Sequence, residues 1–428
     1  MRILVLGATG FIGSAVSACL AATGHEVVGI SRRPPQSGLR TVSYVPFDIS
    51  RAARPESWEP LLAGIEAVVN CAGTLQDAPG DSTAGVHSIG ITALFAACER
   101  SGVRRVIHIS ATGVEWEASA FSQSKHAGEA ALLARDLDWI VLRPSIVIGR
   151  SAYGGSALFR GLAALPVLPL VPGTGPLQVV WLDDLVATIA FCLGPQAPSR
   201  VILEIVGPRQ WTFAELVQLF RRWLRLDDVA TIRVPAWASS IAYRLGDVVS
   251  WFGWRPPVRS TARREIVRGA TGDNTTWRQM TGITPTDVET ALAREPASVQ
   301  ERWFAPLYVL KPLVFGVFGL FWLTTGLISL GPGWDNGMSL MREGGVTDPL
   351  ASLSVISGAV ADTLIGLAIL YRPTSRYGLL AALAISIAYA VIGTILVPRL
   401  WSDPLGPMLK IWPIMVLNLV ALAIRQDR

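Results

Sequence analysis

The sequence is poor in charge, in cysteine and in histidine. Only 16% of its 428 residues are charged while 51% are hydrophobic, a balance too apolar for an ordinary soluble protein. The four cysteines, Cys19, Cys71, Cys98 and Cys192, form no CxxC pair and no disulfide framework, so they read as reduced, buried and inert. The four histidines, His25, His87, His108 and His126, lack metal-ligand spacing, which argues against a zinc site. No basic stripe is interleaved with aromatics, so the net charge of +5 does not point to nucleic acid. No secretory signal is expected before the first strand, which starts at about residue 2. Membrane insertion would then rest on C-terminal helices.

What is abundant is apolar sequence, and it is unevenly spread. Residues 1–300 carry most of the charge and read as α/β. Residues 307–424 hold four long apolar runs: Pro312–Leu330, Leu350–Tyr371 with the single carboxylate Asp362, Tyr377–Val397, and Met408–Ile424 with Lys410 near one end. A helix needs about 20 such residues to cross a bilayer, so four spans are expected, over about 309–330, 350–371, 377–397 and 408–424. Arg294, Arg302, Lys311, Arg372, Arg376, Arg425 and Arg428 fall on one side of these spans, against Arg342, Arg399 and Lys410 on the other. The positive-inside rule puts the α/β part and both termini in the cytoplasm of a multi-pass inner-membrane protein. Asp362 and Asn418 should lie at similar depth, face the bundle interior and hydrogen-bond to each other. They read either as a proton or quinone site or as a structural bond.

The chain opens MRILVLGATGFIG. A short apolar strand runs into Gly7, Gly10 and Gly13, followed by an amphipathic helix, Phe11–Thr23, and a second strand, Glu26–Ile30. Glycines at this spacing allow a sharp turn, close approach of a pyrophosphate and tight helix–strand packing. The helix N-terminus then offers N–H groups to phosphate. Thr9, Phe11 and Ile12 complete the phosphate-facing turn. The second strand ends in Ser31-Arg32-Arg33 and has no carboxylate to accept ribose hydroxyls. Two guanidiniums there favour a 2′-phosphate, hence NADP(H) over NAD, unless they are only solvated surface charges. Strands at Thr41–Val45, Ala67–Asn70, Arg105–Ser110 and Trp139–Arg143 alternate with helices at Val86–Arg100 and Gln123–Arg135. This alternation predicts a doubly wound parallel sheet with ligands at the strands' carboxyl ends.

Taken together, Gly7/Gly10/Gly13, Asp48-Ile49, Asn70-Cys71-Ala72-Gly73, Ser110, Lys125 and Leu142-Arg143-Pro144 resemble the short-chain dehydrogenase/reductase superfamily, in its extended and atypical branches. Val180–Leu185, Thr212–Leu216 and Asp273–Leu292 extend the likeness to about residue 295. The resemblance implies a Rossmann fold with a small α/β substrate subdomain (segments about 150–180 and 205–295) and NAD(P) binding. It places Asp48 and Ile49 near the adenine, with Cys71, Ala72, Gly73, Lys125 and Pro144 facing the cofactor. It makes Ser110 and Lys125 the catalytic pair. The family's Tyr-x-x-x-Lys is here Phe121-Ser122-Gln123-Ser124-Lys125. A phenyl ring carries no transferable proton, and general acid–base catalysis is worth roughly 10² to 10⁴-fold. Three responses stay open. Ser122, His126, Tyr153 or a water held by Ser110 and Lys125 supplies the proton; or the hydride moves without this acid; or the domain binds NADP(H) without turnover. The accessory nucleotide-binding subunit of respiratory complex I is a family analogy for the last.

The four-span tail, residues 296–428, is similar to the DoxX-like membrane family in span number and pattern. Between the two parts, Trp237, Ile241, Leu245, Val248 and Phe252 form one apolar helical stripe. It reads either as a helix packed on the substrate subdomain or as a lid or interfacial helix touching lipid headgroups. The expected fold is thus an α/β Rossmann domain followed by an all-α four-helix transmembrane bundle. The expected function is a membrane-anchored NADP(H)-binding oxidoreductase acting on an apolar membrane-derived substrate, a quinone or a lipid carbonyl. The alternative is a non-catalytic NADP(H)-binding sensor or assembly module.

Overall fold

A computed structural model describes residues 1–35 and 41–425. The chain divides into two compact units, Met1–Val248 with Pro256–Ala305, and Val249–Arg255 with Pro306 onward. The membrane unit therefore includes a short stretch from the middle of the chain. The first unit also runs about ten residues beyond the boundary of 295 read from sequence.

The first unit is built on seven parallel strands: β1 (Arg2–Leu6), β2 (Glu26–Ser31), β3 (Ser43–Pro46), β4 (Ala67–Asn70), β5 (Arg105–Ile109), β6 (Asp138–Pro144) and, after three short strands β7 (Ile146–Ile148), β8 (Leu168–Leu170) and β9 (Val179–Trp181), β10 (Val201–Ile205). Their order is β10-β6-β5-β4-β1-β2-β3. The order reverses between β1 and β4, which makes the crevice at their carboxyl ends the place where ligands bind in such sheets. The strands are continuously apolar because both faces are covered. Leu4, Leu6 and Val68 point into one core with Leu94, Phe95 and Leu132. Ile3, Val5 and Val69 point into the other with Val16, Leu20 and Leu185. The covering helices include α1 (Phe11–Ala22), the single turn α2 (Glu59–Leu62), α3 (Gly90–Arg100) and α4 (Ala120–Leu133). The helix expected over Val86–Arg100 begins as a π-helical turn, Gly85–Ile89, before α3.

The substrate subdomain has its own apolar core around Phe159, Trp181, Phe213, Phe220 and Leu292. It comprises α5 (Gly154–Ala163), α7 (Phe213–Trp223), strand β11 (Thr231–Arg233), α8 (Ala236–Trp251), α9 (Ser260–Arg268) and α11 (Val288–Arg294), while α6 (Leu182–Cys192) and α10 (Thr275–Thr281) pack on the parallel sheet. Thr212 and Glu215 form a reciprocal cap at the start of α7.

The second unit contains four helices long and apolar enough to cross a membrane: α12 (Val299–Leu330), α14 (Leu350–Leu370), α15 (Ser375–Leu396) and α16 (Pro407–Ile424). The shorter α13 (Trp334–Glu343) joins the first two. Pro306 and Pro312 lie inside α12 without ending it, so this helix starts earlier than the uncharged run in the sequence. The bundle core is small, built on Phe315, Phe318, Trp322, Ile365 and Leu379. Leu327, Leu353, Leu364 and Ile395 point outward. Such a surface suits lipid, where the backbone of a helix is already satisfied.

Candidate functional site

The glycine turn is forced by close approach. Gly7 has φ +69°, and a Cβ on it would meet the Ala72 backbone at 2.9 Å. A Cβ on Gly13 would lie 2.2 Å from the Gly7 carbonyl oxygen. The Gly10 N–H donates to the Gly7 carbonyl (2.8 Å), and no side chain caps α1. The first N–H groups of α1, from Phe11, Ile12 and Gly13, are therefore left for an anion. Thr9 Oγ1 lies 2.7 Å from Ser31 Oγ, which ties the turn to the end of β2. The Phe11 ring stacks on Tyr153 at 5.5 Å.

Lys125 is buried on α4 and reaches the strand ends. Its Nζ donates to the Ile109 carbonyl (2.7 Å) and, more weakly, to the Ala72 carbonyl (3.4 Å). A Cβ on Gly73 would lie 3.8 Å from the same Nζ. Burial pulls the Lys125 ammonium down to about 8, with Glu129 and Cys71 opposing that shift. Burial pushes the Cys71 thiol up to about 12, so it is not a nucleophile. Ser110 follows β5 directly, and its hydroxyl is buried without a partner among the described residues. An unpaired buried hydroxyl costs about 1–3 kcal/mol, a cost that a bound group would remove.

His87, not singled out from sequence, lies at the centre of this cluster. The Thr74 N–H donates to its Nε2 (2.9 Å), and its Nδ1 faces Ser124 Oγ (3.0 Å). Accepting at Nε2 leaves the proton on Nδ1. Burial, then Lys125 and His108, hold the imidazole well below its usual range and hence neutral. Phe121 packs edge-on against this ring at 5.5 Å. No sequence signal marks His87: the π-helical turn that carries it, a feature frequent at functional sites, emerges only in the structure, and its partners come from distant segments. Glu265 and Arg268 on α9 were also missed. Arg268 donates to the Thr112 and Gly113 carbonyls, and Glu265 accepts from Ser119 and Ser122. Together they brace the loop after Ser110.

Other expected residues are engaged elsewhere. Arg32 is paired with Asp81 (2.6 Å) and donates to the Gly80 carbonyl (2.8 Å), whereas Arg33 is exposed. Asp48 caps a short turn by accepting from Ser50 (3.1 and 2.7 Å), and Ile49 is buried in the core beside α3. Pro144 ends β6, and its carbonyl accepts from Thr112 (3.0 Å). Arg143 does not face the crevice freely: it makes a bidentate pair with Glu129 (3.0 and 2.6 Å). Of the alternative proton donors, Ser122 is held in the α4 cap and His126 sits at the surface 2.9 Å from Glu117.

In the bundle, Asp362 and Asn418 both face inward, but the bond expected between them is absent. Asp362 instead accepts from the Tyr389 hydroxyl (3.0 Å), because Tyr389 on the adjacent α15 reaches it across the α14–α15 packing. The Asn418 amide and the Trp322 indole N–H are buried with no partner among the described residues. Trp322, Ser386 and Tyr389 line a mostly apolar cavity of about 370 Å³.

Residues 7–158 match the NAD(P)H-binding family, and residues 319–419 match the DoxX-like family. The chain joins an NAD(P)-binding Rossmann domain to a DoxX-like membrane domain. The Rossmann domain is similar to the ceramide reductase of Caulobacter vibrioides, 27% identical over 55% of this chain and 78% of the relative. It is also similar to the photosystem II assembly factor Ycf39 of Synechocystis, 24% identical over 52% of this chain and 67% of the relative. Three uncharacterized mycobacterial proteins, 28% identical, are matched over only 23% of their length. Among solved structures, the enzyme WbmG of Bordetella bronchiseptica in complex with NAD aligns with TM-score 0.55 and 16% identity, over 72% of this chain and 96% of that one. This likeness is one of fold, and it agrees with the parallel sheet described above.

Proposed function

We propose that the chain is an NADP(H)-dependent reductase of an apolar, membrane-derived substrate, with a lipid carbonyl or a quinone as acceptor. The observation that carries this reading is the retained pair at the end of β5: Lys125 held on two strand-end carbonyls, and Ser110 with an unpaired buried hydroxyl. The residues fit the cofactor. The uncapped start of α1 and the glycine turn would hold its pyrophosphate, Arg33 and Arg32 its 2′-phosphate, and Lys125 its nicotinamide ribose. Arg32 would exchange Asp81 for that phosphate. When bound, the reduced nicotinamide supplies a hydride. Ser110 orients the substrate oxygen by hydrogen bonding. Lys125, with its loosened proton, supplies the proton that Phe121 cannot. The relative named ceramide reductase supports a lipid substrate, and four helices long and apolar enough to cross a membrane suit a substrate that partitions into lipid. The arginine and lysine asymmetry supports a cytoplasmic Rossmann domain.

A second reading, a non-catalytic NADP(H)-binding assembly or sensor module, is favoured by Phe121 and by the relative named as an assembly factor. The two separate in one experiment. The detergent-solubilised chain is titrated with NADPH and NADH, then assayed for NADPH oxidation with long-chain ketones, acylated amino ketones and quinones. Turnover with any acceptor, lost in Lys125→Met, supports the reductase. Tight NADPH binding without turnover on the whole panel supports the module.

A further inference from the structure

Helix α8 is built inside out for a water-facing helix. Its buried positions are Ser239, Tyr243, Gly246 and Ser250. The fit at Gly246 is tight enough that a Cβ there would clash with the Val258 carbonyl at 1.8 Å. Its apolar stripe points outward instead: Trp237 is 69% exposed, Ile241 50%, Leu245 58% and Val248 44%. The helix does pack on the subdomain, but through its small and polar face, and the apolar stripe expected to make that contact is left outside.

Beside the stripe, α8 and α9 enclose a cleft of about 420 Å³. Arg244, Arg263 and Arg264 line it with Ser240, Tyr243 and Ser260, and no acid is among its walls. Arg263 donates to Ser240 Oγ (3.1 Å) and lies over the Tyr243 ring. No ion pair or hydrogen bond engages the guanidiniums of Arg244 or Arg264 among the described residues. The nearby carboxylate of Asp247 is turned to Arg259 (3.2 Å) and Ser260.

The end of α8 is anchored in the membrane unit. The Trp254 indole N–H donates to the carbonyl of Leu370 (2.7 Å), the last residue of span α14, and the Arg372 N–H donates to the Phe252 carbonyl (2.9 Å). Trp254 also packs on Phe315 at 4.7 Å. Residues Val249–Arg255, which belong to the membrane unit and include the last turn of α8, are therefore held where a span ends.

We propose that α8 lies in the surface of an anionic bilayer, with its stripe among the acyl chains and the α8–α9 cleft holding the phosphate of a lipid headgroup. Tryptophan favours that depth, arginine forks match phosphate oxygens, and an apolar face flanked by cations is the pattern of interfacial helices. A second copy would bring an equally positive cleft to the same place. A free phosphate would leave the stripe in water. Only a lipid surface satisfies both features.

The full chain in nanodiscs of phosphatidylcholine, with or without phosphatidylglycerol, tests this by hydrogen exchange of residues 236–248. Slower exchange is expected with phosphatidylglycerol, and each arginine removed in Arg244→Gln and Arg264→Gln should weaken the preference about fivefold. Arg244→Lys with Arg264→Lys should keep most of it, which guards against a folding defect in the neutral variants. NADPH affinity should stay unchanged in all of them. Equal exchange in both discs overturns the proposal. So does equal protection by inorganic phosphate in phosphatidylcholine discs, which marks a soluble-phosphate site. Protection that follows protein density rather than lipid, the sign of a second copy, overturns it as well.

Discussion

Lys125 is where the chemistry of the site is most sharply constrained. Its ammonium is buried, holds two strand-end carbonyls and loses its proton near pH 8 rather than near 10.5. If it supplies the proton for reduction, the protonated form is the active one. Turnover should then be level at low pH and fall about tenfold per unit as pH rises through about 8, as a pH–rate profile of kcat will show. A profile flat to pH 10 would remove Lys125 as the donor. Phe121 makes the complementary prediction. It packs on the neutral His87 ring, one turn before Lys125, so Phe121→Tyr places a hydroxyl at the family's donor position. Carbonyl reduction should rise at least about tenfold, measured as NADPH consumption, and the fall above pH 8 should weaken. Lys125 and Ser110 could be singled out in the sequence only through a family resemblance, and the structure brings them together at the end of β5. His87 was not legible, because Thr74, Ser124 and Phe121 meet it only once the strand ends and α4 have converged.

At the scale of elements, the turn between β1 and α1 does two things at once: it packs the helix against the sheet and leaves the helix N-terminus uncapped. Gly13→Ala tests whether these are coupled. The added methyl would sit 2.2 Å from the Gly7 oxygen, so the helix must shift. Overpacking of this kind costs typically about 1–3 kcal/mol. The expected result is a lower melting temperature together with loss of the stabilisation that NADPH gives the parent chain, both read by thermal shift. A variant that is less stable but still stabilised by NADPH to the same degree would place the cofactor elsewhere. The parallel strands were readable as apolar runs between turn signals because both faces of the sheet are buried. The stripe of α8 was equally readable, but periodicity gives a helix its apolar face without saying what covers it. The Arg32–Asp81 pair was hidden for a related reason. Sequence places a guanidinium at the end of β2 but not the carboxylate, 49 residues on, that reaches it.

For the whole molecule, the strongest constraint is that a phosphorylated dinucleotide does not cross a bilayer unaided, so the Rossmann domain must face the compartment that supplies it. The distribution of arginine and lysine about the spans makes the same demand from different residues. Asp183, exposed on α6, and Asn336, exposed on α13 between the first two spans, should then lie on opposite sides of the membrane. With Cys19→Ala as background, leaving Cys71, Cys98 and Cys192 with buried thiols, single cysteines are introduced as Asp183→Cys and Asn336→Cys. In intact cells an impermeant maleimide should label Asn336→Cys and spare Asp183→Cys, which should react only after permeabilisation. Labelling of both from outside would break the four-span topology. The reverse pattern would put the nucleotide crevice outside the cytoplasm and leave the proposed reductase without its electron source.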